Sequence, residues 1–131
     1  MLSQEFFDDY AKGYYNNSPQ SVAEHFFVPS VIMSNETKNV FTSTDAVAKQ
    51  IQEFMNKLVS LGGAQFKPEV CQTMKLSENI LFSNVKWVYK DETGLEILHC
   101  FVSYTLQSEN DSLKIIVSVI DDQQRELAKL L

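Results

Sequence analysis

The chain has 131 residues, 44% of them hydrophobic and 21% charged, and eleven Lys and Arg against seventeen Asp and Glu give a formal charge of −6. That length suits one domain with one core, burying roughly two thirds of the unfolded surface. Arg125 is the only arginine and the lysines are scattered, so nucleic acid and polyphosphate recognition are excluded as partners, and Gly62-Gly63 lacks the surroundings of a phosphate loop. No apolar run approaches the roughly 20 residues that span a bilayer, and Glu5, Asp8 and Asp9 do not suit a signal peptide. The expectation is a single cytoplasmic domain over residues 1–131, without membrane association.

Phe6, Phe7, Tyr10, Ala11 and Tyr14 recur at helical spacing and, with Leu2, predict a first helix from about Ser3 to Asn16. Ser18-Pro19 has the form of an N-cap followed by proline at the first helical position, opening a short helix through His25. Phe27 to Asn35 reads as a strand and Lys38 to Thr42 as its return. Ser43 or Thr44 then caps a third helix, carrying Val47, Ile51, Phe54, Met55 and Leu58 on one face and ending at Gly62-Gly63. Between Phe66 and Leu76 the residues Phe66, Val70, Met74 and Leu76 share one parity, which predicts a half-buried strand, and Pro68 assigns it to a sheet edge or a bulge. Gln123 to Leu131 reads as a short tail helix with Leu127, Leu130 and Leu131 on its apolar side.

The three segments between Asn79 and Asp121 differ from these, because their apolar residues fall on both faces. Val85, Trp87 and Tyr89 oppose Ile80, Phe82 and Val88; Leu98, Cys100, Val102 and Tyr104 oppose Ile97 and Phe101; Leu113 to Ile120 is almost continuously apolar. Such a sheet needs two covers. The helices supply one, and a second copy of the chain is the most economical other, so a homodimer through the sheet is expected. The turn Asp91-Glu92-Thr93-Gly94 bears on which face is which. A type I turn with a left-handed glycine sets Lys90 opposite Glu96 and Trp87 opposite His99; a two-residue turn pairs Trp87 with Leu98 and turns His99 to the other side. The first is preferred, because it uses Gly94 and pairs the charges. It assigns the helices and a pocket to the Trp87–His99 face and the partner to the Cys100–Tyr104 face. Cys71 and Cys100, each within an apolar strand pattern, read as buried thiols.

The order of elements, with Phe6-Phe7-Asp8-Asp9-Tyr10-Ala11, Val22-Ala23-Glu24-His25-Phe26-Phe27, Phe41-Thr42-Ser43-Thr44-Asp45-Ala46-Val47 and Val85-Lys86-Trp87-Val88-Tyr89-Lys90-Asp91, resembles the SnoaL-like branch of the nuclear-transport-factor-like superfamily. The resemblance implies an α+β fold, a conical half-barrel of strongly curved, mostly antiparallel sheet packed on three helices (cystatin-like), with a pocket on the concave face and a homodimer through the convex one. Steroid-isomerase-like members carry a carboxylate at the end of the first strand, where this chain has Ile32-Met33-Ser34-Asn35 and reaches Glu36 only in the following turn. Epoxide-hydrolase-like members use two Asp bridged by an Arg, and Arg125 lies in the tail. Dehydratase-like members pair His with Asp and tyrosines, and His25 has no evident carboxylate partner in the sequence.

The leading expectation is therefore a small-molecule-binding protein with an apolar pocket for a small organic ligand, no cofactor and no metal. Tyr10, Tyr14, Trp87, Phe101 and Ser103 are its candidate contacts, with Ser118 a further hydroxyl whose plain alternative is a bond to the backbone. An isomerase or lyase-type enzyme is the alternative, with His99 as proton carrier and Tyr10 or Tyr14 stabilising an enolate-like oxygen; a core or interface role is the plainer alternative for His99. A third possibility is an interaction module whose pocket its own side chains fill. Asp8-Asp9 and Asp121-Asp122 read as solvated pairs.

Overall fold

Local chemistry marks the helix ends. The Ser18 side chain accepts from the Ser21 N–H at 3.3 Å, with proline next to it at the first helical position, and Ser43 accepts from the Ala46 N–H at 3.2 Å. The computed structural model describes residues 2–121. Its elements are α1 (Leu2–Tyr15), α2 (Pro19–Ala23), β1 (Phe26–Ser34), β2 (Lys38–Phe41), α3 (Thr44–Ser60), β3 (Gln65–Ser77), β4 (Ile80–Lys90), β5 (Glu96–Glu109) and β6 (Ser112–Ile120). The expected tail helix, with Arg125, lies outside the described residues.

The strands form one open six-stranded sheet, ordered β2-β1-β6-β5-β4-β3, antiparallel throughout except between β1 and β6. The architecture is the α+β one expected, and the three helices cover one face only. Phe7, Tyr10 and Ala11 of α1, Val22 and Ala23 of α2, and Val47, Ile51, Met55 and Leu58 of α3 are buried against Val85, Trp87, Tyr89, Leu98, Cys100, Val102, Tyr104 and Leu106 of the sheet. None of the described helices is long and apolar enough to cross a membrane.

The hairpin between β4 and β5 corrects both registers drawn from the sequence. Gly94 takes φ +87°, and its N–H donates to the Asp91 carbonyl at 3.1 Å. Asp91 Oδ1 accepts from the Thr93 hydroxyl at 2.6 Å, the Thr93 N–H at 2.9 Å and the Leu95 N–H at 3.0 Å, bonds that hold its carboxyl below the usual range, the Thr93 hydroxyl foremost. Lys90 does stand opposite Glu96, but the next pair is Tyr89 with Leu98, so Ile97 is an extra residue. A one-residue bulge exchanges the faces of everything beyond it. Trp87 therefore pairs with Cys100 and His99 with Val88. Cys100, Val102 and Tyr104 lie under the helices; His99, Phe101 and Ser103 lie on the outer face.

Register shifts also alter β1, β3 and β6. In β3, Val70 pairs with Val85 and Gln72 with Asn84, leaving Cys71 unpaired. Beyond it the parity reverses: Thr73 turns inward to share hydrogen bonds with Ser3 (2.9 Å) and Ser83 (3.3 Å), while Met74 and Leu76 are exposed. Cys71, expected to be buried, is exposed for the same reason, and Cys100 is buried. Beside Pro68 on this edge strand, Gln4 of α1 donates to the Pro68 carbonyl at 3.2 Å and accepts from the Val70 N–H at 3.0 Å. In β6, Ile116 is the extra residue between Ile115, paired with Leu106, and Val117, paired with Thr105.

Gly13 lets α1 and α2 approach closely: a Cβ there would meet Val22 Cγ2 at 2.5 Å and the Val22 backbone nitrogen at 3.1 Å. In an open helix Gly→Ala gains roughly 0.5–1 kcal/mol, but Val22 is fully buried and overpacking costs about 1–3 kcal/mol. The clash outweighs the propensity, so Gly13→Ala is expected to lower the urea midpoint by the equivalent of about 1–2 kcal/mol, where an unpacked helix position would raise it.

Candidate functional site

Between the helices and the concave face lies a cavity of about 90 Å³. Tyr10 and Tyr14 of α1 and Gln50, Ile51 and Phe54 of α3 form one side; Trp87, Tyr89, Val102, Tyr104, Ser118 and Ile120 form the sheet side, and Phe26, Ile32 and Phe66 complete it. The alternation of the strands delivers the sheet residues: Trp87 and Tyr89 share the inward parity of β4, and Val102 and Tyr104 that of β5. Tyr10 and Tyr14, one helical turn apart, descend from α1 onto this floor, with ring centroids 5.9 Å and 6.1 Å from Trp87.

The polar atoms here are all neutral. The Tyr10 and Tyr14 hydroxyls are 3.4 Å apart and share a hydrogen bond. Trp87 Nε1 donates to the Tyr104 hydroxyl at 2.9 Å, which leaves that hydroxyl's own proton available to donate. Burial pushes the phenols of Tyr10, Tyr89 and Tyr104 well above their ordinary range, and Tyr14 up to about 12 despite the opposing effect of its bond to Tyr10. No Asp, Glu, Lys, Arg or His is among the described lining residues.

Of the residues singled out in the sequence, Tyr10, Tyr14, Trp87 and Ser118 come together in this cavity. Phe101, Ser103 and His99 do not, because the Ile97 bulge turns them to the opposite face. His99 is half exposed, its Nδ1 3.2 Å from the similarly exposed Glu96 carboxylate. Ser103 accepts from Asn84 Nδ2 at 3.0 Å in a wider, shallower depression with Ser34, Asn35 and Asp121. A proton relay from His99 to Tyr10 or Tyr14 is thereby ruled out by the sheet between them. His25 does have a carboxylate partner, unlike the sequence expectation: its Nε2 lies 3.0 Å from Asp9 Oδ2 and its Nδ1 donates to the Ser21 carbonyl at 2.9 Å. This pair ties α1 to α2 outside the cavity. Tyr104 was missed as a cavity residue because the Ile97 bulge, which nothing in the sequence marks, brings its parity onto the Trp87 face; Tyr89 shares the inward parity of Trp87 and was legible from the alternation of β4. Ser118, expected to bond the backbone, is buried with no hydrogen-bond partner for its Oγ among the described residues.

Fold and site together define a half-barrel with an uncharged, partly open cavity. A family model described as NTF2-like protein (DUF6841) matches residues 3–123, and the chain belongs to that family. Its fold is similar to an NTF-2 like protein of unknown function from Shewanella oneidensis MR-1 (TM-score 0.73, 12% identity, covering 90% of this chain and 94% of that one). A cystatin-like domain of unknown function from Nostoc punctiforme superposes at TM-score 0.74 with 12% identity, covering 98% of this chain and 81% of that one. Aln2 from a Streptomyces species gives TM-score 0.69 and 15% identity, covering 95% of this chain and 90% of that one. At these identities the likeness extends to the fold. No curated protein matches the chain in sequence.

The phenols carry a pH signature. In the unfolded chain a tyrosine ionises near about 10, below its value in the fold for Tyr10, Tyr14, Tyr89 and Tyr104. Above that pH the unfolded state binds fewer protons than the native one, so the stability these groups contribute is whole below it and is lost as pH rises towards the folded values. Urea midpoints measured from about pH 8 to about pH 11 should show a decline that sets in near 10, with phenolate absorbance of these four tyrosines appearing only as the protein unfolds.

Proposed function

We propose that the protein binds a small, uncharged organic molecule with an apolar or aromatic skeleton in this cavity. The observation that carries the reading is the lining: rings and aliphatic side chains, four phenols held protonated, and no ionised group among the described residues. A carboxylate or ammonium entering it would lose its water without meeting an opposite charge, which costs several kcal/mol. A neutral ring instead buries apolar surface at a gain of about 25 cal/mol per Å². The volume of about 90 Å³ is smaller than the roughly 150 Å³ apolar cavity that takes up benzene elsewhere. The ligand is thus no larger than a single ring, and its entry requires Tyr14 and Phe54, both only partly buried, to shift outward. Hydroxyls and the Gln50 amide supply hydrogen bonds but no general base that works near neutral pH, which supports binding over proton transfer.

The outer face of the sheet supports a second element, pairing with another copy of the chain. Phe82, Val88 and Phe101 are half-buried there and Val119 is 39% exposed, an apolar surface on the side opposite the helices.

Trp87 is the only tryptophan, so its indole N–H gives one resonance that reports on the cavity through its bond to Tyr104. Titration with toluene is expected to shift that resonance saturably and titration with benzoate to leave it in place. No shift with toluene, or an equal one with benzoate, overturns the reading. Sedimentation equilibrium is expected to return twice the mass of one chain, with Phe101→Glu reducing it to one; a wild-type monomer overturns the pairing.

A further inference from the structure

The apolar run of β6 contains one hydroxyl in Ile115-Ile116-Val117-Ser118-Val119-Ile120, and the fold turns that residue inward. Ser118 pairs with inward-facing Tyr104 on β5 and with Ile32 on β1. Its flanking valines pair with the outward-facing Thr105 and Ser103. Val119 is 39% exposed while Ser118 is 4% exposed. This inverts the usual economy of a half-covered sheet, in which valine goes in and serine out. The Ile116 bulge is the cause, since it lets Ile115 and Ser118 point the same way.

Ser118 lines the cavity, and its Oγ has no hydrogen-bond partner among the described residues. Ser30 is likewise buried and unpartnered but does not line the cavity, so Ser118 is the unpartnered hydroxyl on the cavity wall, and its Oγ, itself buried, is met by a ligand whose entry shifts that wall. A buried hydroxyl without a partner costs free energy that valine or alanine at the same position would not. Resting on the binding role proposed above, we infer that Ser118 is the specificity residue of the cavity and that its ligand is an oxygenated ring, a ketone or alcohol, whose oxygen hydrogen-bonds Ser118 Oγ. Tyr104, beside Ser118 in register, has a phenolic proton to donate to the same oxygen. A hydrocarbon of equal size fills the cavity but leaves Ser118 unpaired.

The test compares cyclohexanone with methylcyclohexane, read on the Trp87 indole resonance. Wild-type protein is expected to bind the ketone about threefold to tenfold more tightly than the hydrocarbon. Ser118→Ala should erase that preference, retain hydrocarbon affinity, and keep the wild-type urea midpoint or exceed it. Ser118→Cys, close in size but a weak donor, should behave as the alanine variant does. Equal wild-type binding of the two compounds, or a ketone preference that survives in Ser118→Ala, overturns the role of Ser118 while leaving the cavity reading intact. A Ser118→Ala protein that is markedly less stable than wild type also overturns it, because the hydroxyl would then hold the fold. Failure of both compounds to bind falls on the cavity reading as well.

Discussion

Successive side chains on a strand point to opposite sides of the sheet, so each inserted residue exchanges the faces of all that follow. Three of the sheet's inserted residues bear directly on what it shows to its helices. Ile97 puts Cys100, Val102 and Tyr104 beneath α1 and α3; Ile116 brings Ser118 in beside Tyr104; Cys71 turns Thr73 towards Ser3. Without the Ile97 insertion, His99, Phe101 and Ser103 would line the cavity, and its chemistry would be that of an imidazole. With it, the cavity is one of phenols and aliphatic chains. Bulges also bend the strands that carry them, so the insertions that choose the lining also help curve the sheet around it.

Against that floor α1 presents a stripe of rings. Tyr10 lies against Phe7, Tyr14, Phe26, Trp87 and Tyr104 at centroid separations of 5.6 to 6.3 Å, mostly edge to face, the arrangement that aromatic quadrupoles favour. The contacts with Phe26, Trp87 and Tyr104 hold α1 to the sheet, and Gln4 at one end and the His25–Asp9 pair towards α2 fix its position. The core and the cavity wall are therefore the same side chains. Tyr10 and Trp87 stabilise the fold by their burial and face the cavity by their position, and a change to either acts on both.

The charged groups are arranged on the outside. His25 with Asp9, His99 with Glu96, and the Asp91 turn all lie away from the cavity. Among side chains this apolar an unpaired buried charge would be costly, and the described lining contains none. What remains is a set of hydroxyls in a hydrophobic enclosure, where each hydrogen bond is worth more than in water and each unmet donor costs more. The proposed ligand, mostly apolar and polar at a point, follows from such an interior.

Local signals in the sequence determined the elements and their order: Ser18-Pro19 and Ser43 at helix starts, Gly62-Gly63 at a helix end, the helical spacing of Phe7, Tyr10 and Tyr14, and the edge position of β3 through Pro68. Each depends on residues a turn or less apart, and so is written in the chain. The framework resemblance carried the architecture for the same reason. Tertiary structure alone decided which side chains share the cavity. The Gly94 turn was legible, as was Lys90 opposite Glu96, but Ile97 has no composition that marks it as an inserted residue, and Ile116 and Cys71 have none either. A bulge is chosen by how two paired strands bend and pack against the helices, a cooperative outcome that no single residue specifies. The two-faced character of β4 and β5 is visible in their alternation; which face was inner, and therefore whether His99 or Ser118 met the cavity, depended on residues that look like any other in a strand.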